Sequence, residues 1–150
     1  MSRPLPDADY EIRVRDSFAR QPAMQLIGAT LLRVEPGRVD VALAVRDDLT
    51  QQHGFVHGGI VGMIADSAGG YAAFTLMPAG ASVLTVEYKI NLLAAARGKA
   101  LVASAEVVKA GRTLSLSRVD VYGIDGGRET LVATMQQTLM VMHGMADTRQ

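Results

Sequence analysis

The chain has no cysteine, which excludes disulfides, thiolate nucleophiles and cysteine-based zinc sites together. It has no net charge: fifteen Lys and Arg balance fifteen Asp and Glu, so nothing in the net charge suggests an electrostatic footprint for nucleic acid or an anionic membrane. Nor is there a Gly-x-Ser-x-Gly nucleophile elbow, which leaves an α/β-hydrolase mechanism unsupported. The opening MSRPLPDADYEIRVRD carries charges where a secretory signal needs an unbroken apolar run, and a cytoplasmic address is the default expectation. His53, His57 and His143 have no familiar ligand spacing and no acidic cluster beside them, so no metal is expected. Repeats, low-complexity tracts and linkers are also missing.

What is present fits one domain. The 150 residues are 49% hydrophobic, enough for a sizeable core. Tyr10, Val14 and Phe18 recur at helical spacing among charges, predicting a peripheral N-terminal helix within an extension over residues 1–21, stopped near Pro22. Residues 22–150 then form a single domain. Two β-rich runs flank Glu35-Pro36-Gly37-Arg38 as a hairpin, and a polar connection leads to a long helix from Gly58 to Pro78.

Beyond Pro78 the apolar period changes from helical to two. Leu84, Val86, Tyr88, Ile90 and Leu92 alternate with Thr85, Glu87, Lys89 and Asn91, predicting a strand with one buried face. Three more strands are expected at about 99–109, 112–123 and 129–142, with a bulge near Ser117 and Arg118 where the apolar phase slips. The expected fold is α+β: a curved antiparallel sheet of about six strands, the last four in meander, wrapped around one long central helix. The Gly58–Met77 segment approaches membrane-spanning length, but four further glycines and an aspartate within it and no cationic collar argue against a span.

That helix carries one charge, Asp66, near its middle. On a 3.6-residue period Gly59, Gly62, Asp66, Gly69, Gly70 and Ala73 share one side. Each helical glycine costs roughly 1 kcal/mol relative to alanine, so something is expected to approach the lane closely, either another backbone or a ligand. A desolvated carboxylate beside such room suits a base or nucleophile; the competing reading is a helix–helix contact with Asp66 satisfied by a hydroxyl or backbone donor.

At the helix start, His57-Gly58-Gly59 offers unpaired N–H groups and the positive dipole end to an oxyanion, with glycine admitting a carbonyl to the amide. His57 reads equally as a capping or packing histidine. Gly58 and Asp66 lie about 12 Å apart along a helix, too far to act on one carbonyl. Two such helices running antiparallel in a symmetric dimer remove the conflict, giving two shared sites per homodimer.

The stretch QQHGFVHGGIVGMIADSAGGYAA, with TVEYKINLLAAARG and VVKAGRTLSLSRVDVY, resembles the hotdog-fold acyl-CoA thioesterases, specifically the phenylacetic-acid-degradation (PaaI-like) group, over roughly residues 22–143. The resemblance implies that Asp66 is the catalytic carboxylate, that the Gly58 amide polarises the thioester carbonyl, that His57 orders the turn and that Gln51 contacts the thioester or the water. It implies Gly59 beside the substrate. The family often positions water with a Ser or Thr; four residues after the aspartate stands Gly70, and Thr85 is the substitute. Lys109, Arg112 and Thr113, with Arg97 behind them, are the candidates for the CoA nucleotide. Met63 or Met77 would border an acyl pocket. The implied substrate is a small aryl- or medium-chain acyl-CoA; the implied assembly is a homodimer or a dimer of dimers, and no cofactor is implied, since coenzyme A is part of the substrate. Two other readings stay open: a hydratase or dehydratase of acyl thioesters, which needs a paired carboxylate and histidine absent here, and a non-catalytic acyl-CoA-binding regulatory domain, which loss of Gln51 or Asp66 would have marked.

Overall fold

A computed structural model describes residues 7–148; residues 1–6 of the expected extension and 149–150 of the domain lie outside the described residues. Helix α1 (Tyr10–Ala19) buries Val14 completely, and Arg13 stacks over the Phe74 ring while donating to the Met77 and Pro78 carbonyls. Those carbonyls follow the C-terminus of the central helix, where a cation is favoured. Pro22 does not simply stop α1. It starts a second short helix, α2 (Pro22–Ile27), at the first position where its fixed φ is tolerated, and Gly28 at φ 76° ends it.

The hairpin forms as expected, β1 (Ala29–Glu35) and β2 (Arg38–Ala44) turning at Gly37. Helix α3 (Gly58–Phe74) follows and ends before Pro78, because Thr75 Oγ1 donates to the Ala72 carbonyl and accepts from the Gly37 N–H. Strands β3 (Ser82–Leu92), β4 (Ala100–Ala110), β5 (Leu114–Asp125) and β6 (Arg128–Met142) complete one six-stranded antiparallel sheet in the order β1-β2-β4-β5-β6-β3. This is the α+β hotdog arrangement, with Val61, Ile64, Ala65, Ala68 and Ala72 of α3 buried against the sheet. Among the described residues no helix is long and apolar enough to cross a membrane.

Three expectations are corrected. The last four strands are not a meander: β3 crosses to the far edge and pairs with β6, so only β4-β5-β6 run consecutively. The bulge expected at Ser117 and Arg118 lies on the neighbouring strand, where the register slips between Val107 and Lys109. Ser115, Ser117, Val119 and Val121 form one unbroken buried face, and the apparent phase slip arises because Leu114 and Leu116 point the other way. Finally, β3 has no buried apolar face. Leu84, Val86, Tyr88 and Leu92 are 52%, 54%, 45% and 57% exposed, since β3 is an edge strand whose outer side no part of the described chain covers.

A bulge reorganises β3. Thr85 pairs with Leu139 and Glu87 with Thr138, leaving Val86 as an extra residue. One inserted residue reverses the alternation, so Thr85 opposes buried Leu139, and beyond the bulge Tyr88, Ile90 and Leu92 oppose buried Gln137, Met135 and Ala133. Thr85 thereby joins the helix side of the sheet, and Leu84 leaves it.

Candidate active site

Asp66 is half-buried. Thr85 Oγ1 donates to its Oδ1 at 2.6 Å, and Gln137 Nε2 donates to the same oxygen. Gln137 Nε2 also reaches the Asp66 carbonyl and Thr85 Oγ1, both at 3.1 Å. Among the described residues Oδ2 accepts no hydrogen bond. One oxygen therefore takes both donors and the other is left with its lone pairs free, the arrangement of a carboxylate held in one orientation.

Side chains of β3 and β6 occupy part of the glycine lane. Leu92 Cδ1 would lie 2.8 Å from a Cβ on Gly58, and Tyr88 Oη 3.5 Å from one on Gly62. A Cβ on Gly69 would overlap Gln137 Oε1. The missing Cβ of Gly69 thus makes room for the Gln137 amide beside Asp66, whereas a Cβ on Gly62 would make only ordinary contact with Tyr88.

Gly58 opens α3 with His57 as N-cap. His57 is exposed, and its Nδ1 accepts the Gly59 N–H at 2.8 Å, so the ring acts as a capping group. Gly59 N–H is used internally. Gly58 N–H has no hydrogen-bond partner among the described residues and lies on the dipole's positive end. The turn before it is pinned: His57 N–H donates to Leu49 O at 2.9 Å and Val56 N–H to Ala96 O at 2.8 Å. Gln51 Oε1 accepts the His53 N–H at 2.5 Å, which leaves the Gln51 amide nitrogen as its free end. Gln51 does not touch Asp66.

The remaining expected residues fall elsewhere. Lys109, Arg112 and Thr113 are exposed around the β4–β5 turn, with Arg112 O bonded to His143 Nε2 at 2.7 Å. Arg112 borders a cleft of about 370 Å³ with Leu76, Met77 and Pro78, beyond the C-terminal end of α3 and apart from Asp66. Arg97 lines a separate cleft with Arg128. Met77 is buried core, and Met63 is half-buried against it.

The sequence pattern does not single out Gln137 as a site residue. It lies 71 positions from Asp66, on a strand whose buried face reads Met135, Gln137, Leu139, Val141. A lone amide in phase with apolar residues was the available signal.

Comparison with known proteins bears on what this arrangement does. The family model of the thioesterase superfamily matches residues 53–130, more than half of the chain. A crystal structure of a thioesterase family protein from Silicibacter pomeroyi superposes with a TM-score of 0.88 at 50% identity, covering 90% of this chain and 99% of that one. Human acyl-coenzyme A thioesterase 13 is 30% identical over 92 residues, 61% of this chain and 65% of its own length. The Escherichia coli PaaI protein of the phenylacetic acid degradation operon shares the fold, with a TM-score of 0.82 at 17% identity over 92% of this chain and 96% of that one.

Proposed function

The chain belongs to the thioesterase superfamily and is a thioester hydrolase, and from that premise we propose that it cleaves a small aryl- or medium-chain acyl-CoA to the free acid and CoA, with Asp66 as general base. The observation that carries this reading is the division of labour between the two Asp66 oxygens, one bonded by both Thr85 and Gln137 and the other free. In the proposed reaction Oδ2 takes a proton from water as the water oxygen bonds to the thioester carbon. The carbonyl oxygen becomes an oxyanion facing the Gly58 N–H. Collapse breaks the C–S bond, and the CoA thiolate leaves with the proton from Asp66. Water is the only co-reactant, and no cofactor enters.

Gly58 and Asp66 stand eight residues apart on α3, about 12 Å of helical rise. The proposed site therefore joins Asp66 of one chain to Gly58 of a second copy in a homodimer. The unpaired edge of β3, with Leu84, Val86, Tyr88 and Leu92 exposed, is the kind of surface that natural proteins cover. Ile60, Met63, Tyr88 and Leu92 near the helix start supply apolar area for the acyl group. Gln51, preceding the same turn, has its amide nitrogen available to the substrate. Lys109 and Arg112, cations without an ion-pair partner among the described residues, and the Thr113 hydroxyl are assigned to the nucleotide phosphates.

The experiment is thiol release from an acyl-CoA panel by wild type and Asp66→Asn. The variant should lose at least about 100-fold in kcat with its fold intact. A fully active variant would remove Asp66 from the chemistry. In single turnover in ¹⁸O-water, label should enter the product acid and not Asp66; label in the aspartate would instead establish attack by the carboxylate through an anhydride.

A further inference from the structure

Gln137 is fully buried, yet its Oε1 has no hydrogen-bond partner among the described residues. An amide retained only for packing or stability would be expected to pair both ends. Here Nε2 makes every contact, its two protons shared among three acceptors that all belong to Asp66 or Thr85. The orientation is forced, because turning the amide over would set Oε1 against Asp66 Oδ1 and the Asp66 carbonyl, neither of which has a proton to offer. Thr85 has one hydroxyl proton, and it goes to Asp66 Oδ1, which leaves Thr85 Oγ1 to accept from Gln137.

The surroundings are shaped to this amide. Gly69, one turn beyond Asp66 on the same helix, lacks the Cβ that would collide with Gln137 Oε1. Ser117 Oγ holds the Gly69 carbonyl at 3.0 Å, which fixes the backbone there. Val119 closes the same space from β5.

We infer that Gln137 is a positioning residue that selects which oxygen of Asp66 reacts. By donating to Oδ1 alongside Thr85, it locks the carboxylate plane and leaves Oδ2 as the oxygen presented outward. It also fixes the direction of the Thr85 hydroxyl, so the three residues form one unit. This rests on the reading of Asp66 as the reacting group.

Gln137→Met keeps the length and most of the volume while removing both polar ends. The variant should fold with an unchanged circular dichroism spectrum, lose about tenfold or more in kcat, and keep KM within about threefold. Gly69→Ala, which leaves the amide intact but pushes it off the carboxylate, should show the same split. The two losses should not add when combined, as for residues acting in one network. A readout independent of activity is the Gln137 side-chain amide proton, which should resonate downfield in wild type and move upfield in Asp66→Asn.

A folded Gln137→Met with wild-type kcat, or an amide proton unmoved by Asp66→Asn, would overturn the inference. If Gln137→Met fails to fold, Gly69→Ala and the proton shift decide it. Full activity in Asp66→Asn would sink the reading of the site itself, whereas an inactive Asp66→Asn beside an unaffected Gln137→Met would sink only the role given to Gln137.

Discussion

The hydroxyl of Thr85 sits 2.6 Å from Oδ1 of Asp66 because a single extra residue in β3, Val86, turns Thr85 toward the helix. Without that bulge the alternation along β3 would send the hydroxyl to the opposite face and leave the carboxylate with Gln137 alone.

Thr85→Val keeps the branched shape and removes the hydroxyl. A hydrogen bond to a charged group contributes about 1.5–3 kcal/mol, so kcat should fall about 10- to 100-fold with little change in KM. Thr85→Ser should retain most of the activity. Steady-state kinetics on one acyl-CoA checks both, and wild-type turnover in the valine variant would remove the hydroxyl from the mechanism.

Gly58→Pro tests the oxyanion donor with little structural penalty. Proline is favoured at the first position of a helix, and His57 at φ −57°, ψ 135° already has a backbone compatible with a following proline. The flexible end of Leu92 is what must yield. Loss of the N–H should cost about 100- to 1000-fold in kcat.

The same variant tests whether the site is shared. Gly58→Pro and Asp66→Asn chains, each inactive alone, should recover about a quarter of wild-type activity when refolded together, since half of the dimers then hold one intact site. No recovery in mixed dimers of twice the 16.0 kDa chain mass would place both groups on one chain.

Lys109→Ala combined with Arg112→Ala should raise KM for acyl-CoA severalfold and leave kcat unchanged, with the effect shrinking at high salt. An acyl-pantetheine thioester, which lacks the nucleotide phosphates, should be hydrolysed equally by both enzymes. An equal loss on that shorter substrate would assign these cations to something other than the nucleotide.

Tyr71 links α3 to α1 through a 3.0 Å hydrogen bond with Ser17. Burial pushes the Tyr71 hydroxyl pKa up, and the Ser17 hydrogen bond opposes that. A raised folded-state pKa favours the protonated phenol, so its contribution to stability is complete below the unfolded value near about 10 and is lost as the pH climbs through the folded one. Tyr71→Phe should cost about 1 kcal/mol at neutral pH and flatten the fall in stability above that value. Urea unfolding at neutral pH and in strong alkali measures both.

The sequence by itself determined the types of the long elements and the central features of the helix, though not the short helix that Pro22 starts. A 3.6-residue apolar period with one aspartate, a His-Gly-Gly start and a switch to period two after Pro78 are local patterns, and local patterns survive folding because backbone geometry imposes them. Only the tertiary structure decided what surrounds Asp66. Sheet order, the Val86 bulge and the approach of Gln137 depend on pairing between strands far apart in the chain, and one inserted residue reverses every side chain beyond it. Gly69 shows the limit most directly. Its missing Cβ is legible as a need for space, but the residue that takes the space lies on β6, and only the folded sheet brings it there.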